Sequence, residues 1–338
     1  MKDHRSAGFA SFQFLCALFL LSALAGGLGY YLAPLIRAEE RAQEYNRAYR
    51  AAKIMQEKVR IALASDPSPG SDGPDDPVWA LDGISEEGRV ITIRPISDRL
   101  NPNFVRKNIF EKTDLSRLFR PGLAAEDLQQ WREDHGLSLS AAAYGRFFDD
   151  EIFEKYFSCY GWANINLIDE FAARTLVFSL TGSEHTAESI RQKIETLLIG
   201  RTRADRKSLA SILGIHYGEI FPLINTEPLM NVNFIDSLLL KELIAYPDYK
   251  IPSPETRWQE LIRLRGAGIP DREALSAILG TGADNPLLQY LGCTTWFWEL
   301  RVEGRDLSCR AVICRLPPDD STARDGAAEY IIIEERYY

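Results

Sequence analysis

The sequence predicts an α+β chain: a long N-terminal helix packed on a small antiparallel sheet, with a large all-helical insertion. Three observations carry this. An uncharged, mostly apolar run from Phe9 to Ile36 passes without a break into a charged, helix-prone stretch from Arg37 to Asp66. Strand signals occur only near the two ends, at Val90–Ile93 and after Cys293. Between Val105 and Leu288 the pattern is that of short helices divided by Gly and Pro. A sheet split by a helical insertion accounts for strands at both ends.

The first element is long enough to cross a bilayer, which needs about 20 apolar residues at about 1.5 Å rise each. Lys2 and Arg5 on the short flank place the N-terminus in the cytoplasm and the rest of the chain outside it. Three readings fit this segment. It can be a plain signal anchor. It can be a cleaved secretory signal, since Ala23-Leu24-Ala25 before Gly26 fits the small-x-small rule. Or residues 1–8 form a prepilin-type leader, ending in Gly8 and cut before Phe9, so that the helix stays on the mature protein. The apolar run continues through Leu28, Tyr30 and Leu35. That exceeds the ~7–15 residues of a secretory core and favours a retained helix. Gln13 stands five residues after Gly8, where pilins carry Glu.

The second half of the helix has apolar positions at Ala51, Ile54, Met55, Val59 and Leu63, near helical spacing. Pro34 is a candidate kink. Asp66 to Pro77, rich in Asp, Pro, Ser and Gly, reads as a flexible acidic linker; its four acidic groups are also candidate oxygen ligands for calcium, but without the ordered spacing of a calcium loop. Val78 to Ile96 has strand character, with a turn at Glu87-Gly88. Helix starts stand at Thr113-Asp114, Ala125-Glu126, Ser183-Glu184, Asp236 and Pro270-Asp271. The C-terminal fifty residues form an antiparallel meander. With a turn at Gly304-Arg305, Trp296, Trp298, Leu300 and Val302 share a core face with Cys309, Ala311 and Ile313. The other face carries Thr295, Glu299, Arg301, Ser308 and Arg310.

At 338 residues the chain has room for about two domains. Its formal charge of −9 argues against a nucleic-acid partner. Arg201, Arg203, Arg206 and Lys207 cluster, but Asp205 interrupts them, as at a solvated helix start. Cys16 lies mid-membrane; Cys159, Cys293, Cys309 and Cys314 lie in the exported part, where disulfides are permitted. The hairpin register puts Cys293 and Cys314 at diagonal positions ~7–8 Å apart, near the limit for a bridge. Cys309 is expected to be a buried thiol. Catalytic patterns are weak. His4, His135, His185 and His216 form no H-E-x-x-H, and G-x-S-x-G and G-x-x-x-x-G-K are missing. Glu133, Asp134, Asp149 and Asp169 are the candidates for a glycosidase acid pair. No catalytic, cofactor or metal residue is assigned.

Four features in order make the chain resemble the K-class minor pseudopilin of type II (general) secretion systems. They are the Gly8-Phe9 leader without the acidic fifth residue; Asp98-Arg99-Leu100-Asn101-Pro102-Asn103; Ile224-Asn225 with Asn231-Val232-Asn233; and Tyr290-Leu291-Gly292 through Arg301. The resemblance implies a pilin-like fold with a leader at 1–8 and a transmembrane helix part at 9–36. A periplasmic helix, acidic linker and first strands follow at 37–104, then a helical insertion at 105–288 and closing strands at 289–338. It implies a non-enzymatic subunit at the tip of the secretion pseudopilus, anchored once in the inner membrane with its head in the periplasm. The implied partners are other minor pseudopilins, the inner-membrane secretion platform and prepilin peptidase. Calcium is known in the class, but Gln130-Trp131-Arg132-Glu133-Asp134-His135 replaces the family's acidic Asp-Trp stretch. Asp149, Asp150 and Glu151 read as surface acids, so no calcium site is carried over. Asn101, Asn103, Asn164, Asn166, Asn231 and Asn233 are expected to be structural, with Asn233 a candidate helix cap. The alternatives are a signal-anchored periplasmic scaffold or binding protein and, further off, an anchored cell-wall hydrolase.

Overall fold

The structure is a computed structural model that describes residues 4–68, 70–86, 88–199, 204–216, 223–304, 307–316 and 330–338. Helix α1 runs from His4 to Ala64 as one element and passes through Pro34. Among the described residues nine strands follow: β1 (Ser85–Glu86), β2 (Arg89–Pro95), β3 (Ala163–Asn164), β4 (Ile224–Asn225), β5 (Met230–Asn231), β6 (Leu291–Gly292), β7 (Phe297–Glu303), β8 (Cys309–Arg315) and β9 (Tyr330–Tyr337). Five of them form one antiparallel sheet, ordered β1-β2-β7-β8-β9. The chain therefore leaves the sheet after β2 and returns at β7, with the helical insertion between.

The β7–β8 register pairs Trp298 with Ile313, Leu300 with Ala311 and Val302 with Cys309. A two-residue turn at Gly304-Arg305 would pair Val302 with Leu307; the observed register is shifted by two residues, which keeps the expected faces, and Arg305 lies outside the described residues. The inner face of the sheet packs on α1 through Ala52, Met55, Val59 and Leu63, against Ile91, Ile93, Trp298, Leu300, Val302, Ala311 and Ile313. Each large apolar side chain buried here contributes about 1.5–3 kcal/mol. Polar contacts add direction. Lys53 Nζ meets Glu335 at 2.5 Å, and Gln56 Nε2 donates to Glu335 at 2.6 Å and to Cys309 Sγ at 3.1 Å.

Three expectations need correction. The buried stripe of α1 is Ala48, Ala52, Met55, Val59 and Leu63, whereas Ile54 is 58% exposed and Ala51 half-buried. Neighbouring helix positions point about 100° apart, so a set containing both Ile54 and Met55 spans more than the contact stripe. Trp296 does not share the Trp298 face. It precedes β7, packs against Trp162 at 4.8 Å and donates its indole N–H to the Pro228 carbonyl at 2.8 Å. Val78 lies in a short 3₁₀ turn, Pro77–Leu81, not a strand. A proline at its first position favours that turn.

The insertion is helical and also carries short parallel strand pairs, β3 with β4 and β5 with β6. Three Asn-x-Asn segments follow one plan. Asn101, Asn164 and Asn231 each accept the backbone N–H two residues on, at 3.0, 2.9 and 2.9 Å. This is an Asx turn. The second Asn of each pair grips a later backbone at two points. Asn103 holds Ser138, Asn166 holds Ala204 and Asn233 holds Ile269, each donating to the carbonyl and accepting the N–H at 2.8–3.2 Å. The residue before each segment lies parallel to a later stretch: Leu100 with Phe157, Ala163 with Ile224, Met230 with Leu291. The insertion is thus three units latched by equivalent asparagines. Asn233 is no helix cap; Asp236 caps the helix Ser237–Ala245.

Candidate functional site

Two features of the described residues stand out, the exposed apolar half of α1 and the buried contacts that hold the segment after it. In α1, the residues described from Phe14 to Ile36 are almost all exposed, among them Phe19, Leu21, Tyr30 and Leu35. Among the described residues, this is the one helix long and apolar enough to cross a membrane; its span starts at Cys16, with mean hydropathy 1.7. Such a face is stable only in lipid or against other apolar helices. Further along, Tyr45, Ile54 and Ile61 stay exposed while their neighbours dock on the sheet. The backbone at Gly8, Phe9 and Gln13 is helical. Their side chains, and residues 1–3, lie outside the described residues.

The head is fixed by Asp72. The acidic stretch after α1 is not a free linker: Asp72 is 3% exposed and every polar atom of it is engaged. Its N–H donates to the Cys293 carbonyl at 2.8 Å. Its carbonyl accepts from Asn231 and Asn233, both at 3.0 Å. Its carboxylate accepts the Thr295 N–H at 2.5 Å and both Nη groups of Arg315 at 2.9 Å. Arg315 also donates to Tyr330 Oη and lies over the rings of Trp298 and Tyr330. One residue thus joins the end of α1, the sheet and the third latch unit. Burial pushes the Asp72 carboxyl up to about 7 despite Arg315. Burial also raises Asp76, to about 6.

Asp66, Asp72 and Asp76 bring carboxylate oxygens within 4.8 Å of one another. The group does not suit a hard cation, which takes about six to eight oxygens. Both Asp72 oxygens are held by Arg315, and its guanidinium takes the place a cation would need. The other acids considered for calcium lie apart. Gln130 bonds Asp134 on its own helix and Asp149 pairs with Arg120 at 3.0 Å.

Of the candidate acids, Glu133 and Asp169 line one groove together with Arg132, Arg174 and Arg191, and each is also engaged in local contacts. Glu133 accepts from Gln129, and Asp169 caps the helix Glu170–Thr181 and faces Arg132 at 3.9 Å. Arg132 was not singled out in the sequence. It is buried and donates to the carbonyls of Pro102, Asn103 and Val105, closing the first latch. Asp205 caps the helix Arg206–Leu213; Arg201 and Arg203 lie outside the described residues. Cys293 and Cys314 are not bridged. Both are buried free thiols, Cys293 in the core of the insertion and Cys314 in the cluster around Trp162 and Phe297. The diagonal geometry fails because β7 starts at Phe297, which leaves Cys293 outside the hairpin.

No protein-family model matches the chain, and no curated protein matches it in sequence. Among solved structures it is similar to the GspK-GspI-GspJ complex of the type 2 secretion system from enterotoxigenic Escherichia coli. The identity is 12%, covering 88% of this chain and 97% of that chain, with a TM-score of 0.35.

Proposed function

We propose that this protein is a minor pseudopilin of a type II secretion system, of the K class, placed at the tip of the pseudopilus and priming its assembly. The observation that supports it best is α1. One continuous helix carries an exposed apolar half and a second half docked on a split sheet. A helix of this kind can leave the bilayer and pack among equivalent helices without unfolding the head. Gln13 fits a tip. A carboxylate in hydrocarbon is costly unless paired, and a subunit with no further neighbour does better without one. The three-unit insertion gives the head a bulk that suits a cap better than a repeating shaft.

On this reading prepilin peptidase cuts between Gly8 and Phe9, and the head lies in the periplasm. N-terminal sequencing of membrane-purified protein tests it. A start at Phe9 supports the reading, a start at Met1 supports a plain anchor, and a start at Gly26 supports a secreted soluble protein. Gly8→Leu should leave the head folded and exported while abolishing assembly. Normal secretion with uncut protein in the membrane would overturn the proposal.

A further inference from the structure

The sheet face turned away from α1 sets like charges side by side. Arg301 of β7 lies directly opposite Arg310 of β8, and Arg310 directly opposite Arg336 of β9. Like charges in cross-strand pairs are destabilising, so the row needs compensation. Part comes from Glu299, buried beneath it, which accepts from Arg301 Nε at 2.6 Å and from Arg310 Nε at 2.5 Å. Burial opposes the charge on Glu299, yet Arg310 and Arg301 hold its carboxyl below the usual range. Glu334 lies 2.5 Å from Arg336 Nε. All three guanidinia are therefore fixed through Nε. Among the described residues their Nη groups make no further hydrogen bond. Arg94 of β2 is exposed in the next row, opposite Glu299.

These arginines, with Glu303 at the end of β7, form one wall of a groove of about 950 Å³ between the sheet and the insertion, whose other wall carries Glu151, Glu154 and Lys155, the last paired with Asp236 at 3.5 Å. We propose that the groove receives an extended segment of a partner protein with carboxylates at alternate positions. The free edge of a guanidinium matches a carboxylate at two points. In an extended segment, alternate side chains share one face and recur about every 6.6–6.8 Å, against about 4.8 Å between neighbouring strands of the row, a difference that the long Glu and Arg side chains can span. Acids then meet the arginine row while the intervening residues face Glu151 and Glu154, where further acids are disfavoured. The chain is net negative at −9, so its overall field does not attract such a partner and recognition rests on the local row. The surface belongs to the head and stands whether or not the chain joins a filament.

The test uses the full-length protein in neutral detergent and a synthetic capped peptide of four Glu-Ser repeats, with four Lys-Ser repeats as control, followed by calorimetry. The acidic peptide should bind saturably, and binding should vanish at about 0.5 M salt, where the screening length shrinks to a few ångströms. Arg94→Gln and Arg336→Gln spare the Arg301–Glu299–Arg310 cluster; each should weaken binding about tenfold. Arg117→Gln, exposed on another element, should change nothing. No binding, equal binding of the Lys-Ser peptide, or indifference to both arginine variants overturns the proposal. Displacement by inorganic phosphate at equal charge concentration, or binding only to anionic lipid vesicles, also overturns it, assigning a simple anion or membrane surface.

Discussion

Asp72 and Arg315, 243 positions apart, meet in a bidentate ion pair with both contacts at 2.9 Å and side chains no more than 4% exposed. Removing one partner strands a buried charge and costs about 3–5 kcal/mol, whereas replacing both by apolar residues is often tolerated. Arg315→Met and Asp72→Leu should therefore each destabilise the head by that amount. The double variant should lose clearly less than the sum. Additive losses in denaturant unfolding would show that the two residues act separately.

Acidity should stabilise the head. Burial raises Asp76 to about 6 and Asp98 to about 7, against ~3.9 in an unfolded chain. Between those limits the native state holds more protons, so this stability is full at low pH and is lost as pH rises through 6 to 7. Melting should occur at higher temperature at pH 5 than at pH 8. Asp98 Oδ1 is buried without a hydrogen-bond partner among the described residues. Asp98→Asn should add roughly 1–3 kcal/mol at pH 8 and flatten part of the profile. A melting temperature that falls on acidification would contradict this.

Part of the fold was legible because it is local. The continuity of α1, the caps at Asp236 and Asp271 and the alternation of faces along β7 and β8 follow from spacing and short polar side chains close in sequence. The Asp72 clasp was not legible, since D-P-S-P-G composition spells a loop and nothing near it names Arg315 as partner. The latch repeat left a weak signal: Asn-x-Asn recurs after 63 and then 67 residues. Its meaning lies in grips on Ser138, Ala204 and Ile269, backbone groups that no side-chain pattern marks. Ile54 was misplaced because hydrophobicity alone cannot tell the stripe facing the sheet from the stripe left open.

The thiols should be inert until the head unfolds. Burial pushes Cys159, Cys293 and Cys314 up to about 12, and raises Cys309 as well. At pH 8 that leaves roughly three orders of magnitude fewer thiolates than an ordinary cysteine. Iodoacetamide should spare all four in the native protein and modify all four in unreduced denaturant. A pair missing after unfolding would reveal a bridge.

Calcium and its chelators should leave the head unchanged. A ligand that binds only the native state raises the melting temperature by mass action, and the one converging acid group among the described residues is already held by Arg315. A clear rise with millimolar calcium, reversed by chelation, would require a different set of oxygens.

Neighbouring positions on α1 should separate folding from assembly. Met55 is 2% exposed against the sheet and Ile54 is 58% exposed beside it. Met55→Asp buries a charge with no partner designed for it, at a cost of several kcal/mol, and should lower the unfolding midpoint sharply. Ile54→Asp keeps its charge in water and should leave that midpoint nearly unchanged, within about 0.5 kcal/mol. Ile54, with Tyr45 and Ile61, is free for partner helices, so the same variant should impair assembly of a processed, folded subunit. If Ile54→Asp unfolds the head, the buried stripe has been drawn on the wrong side of the helix. If it folds and assembles normally, partner helices do not use this stripe.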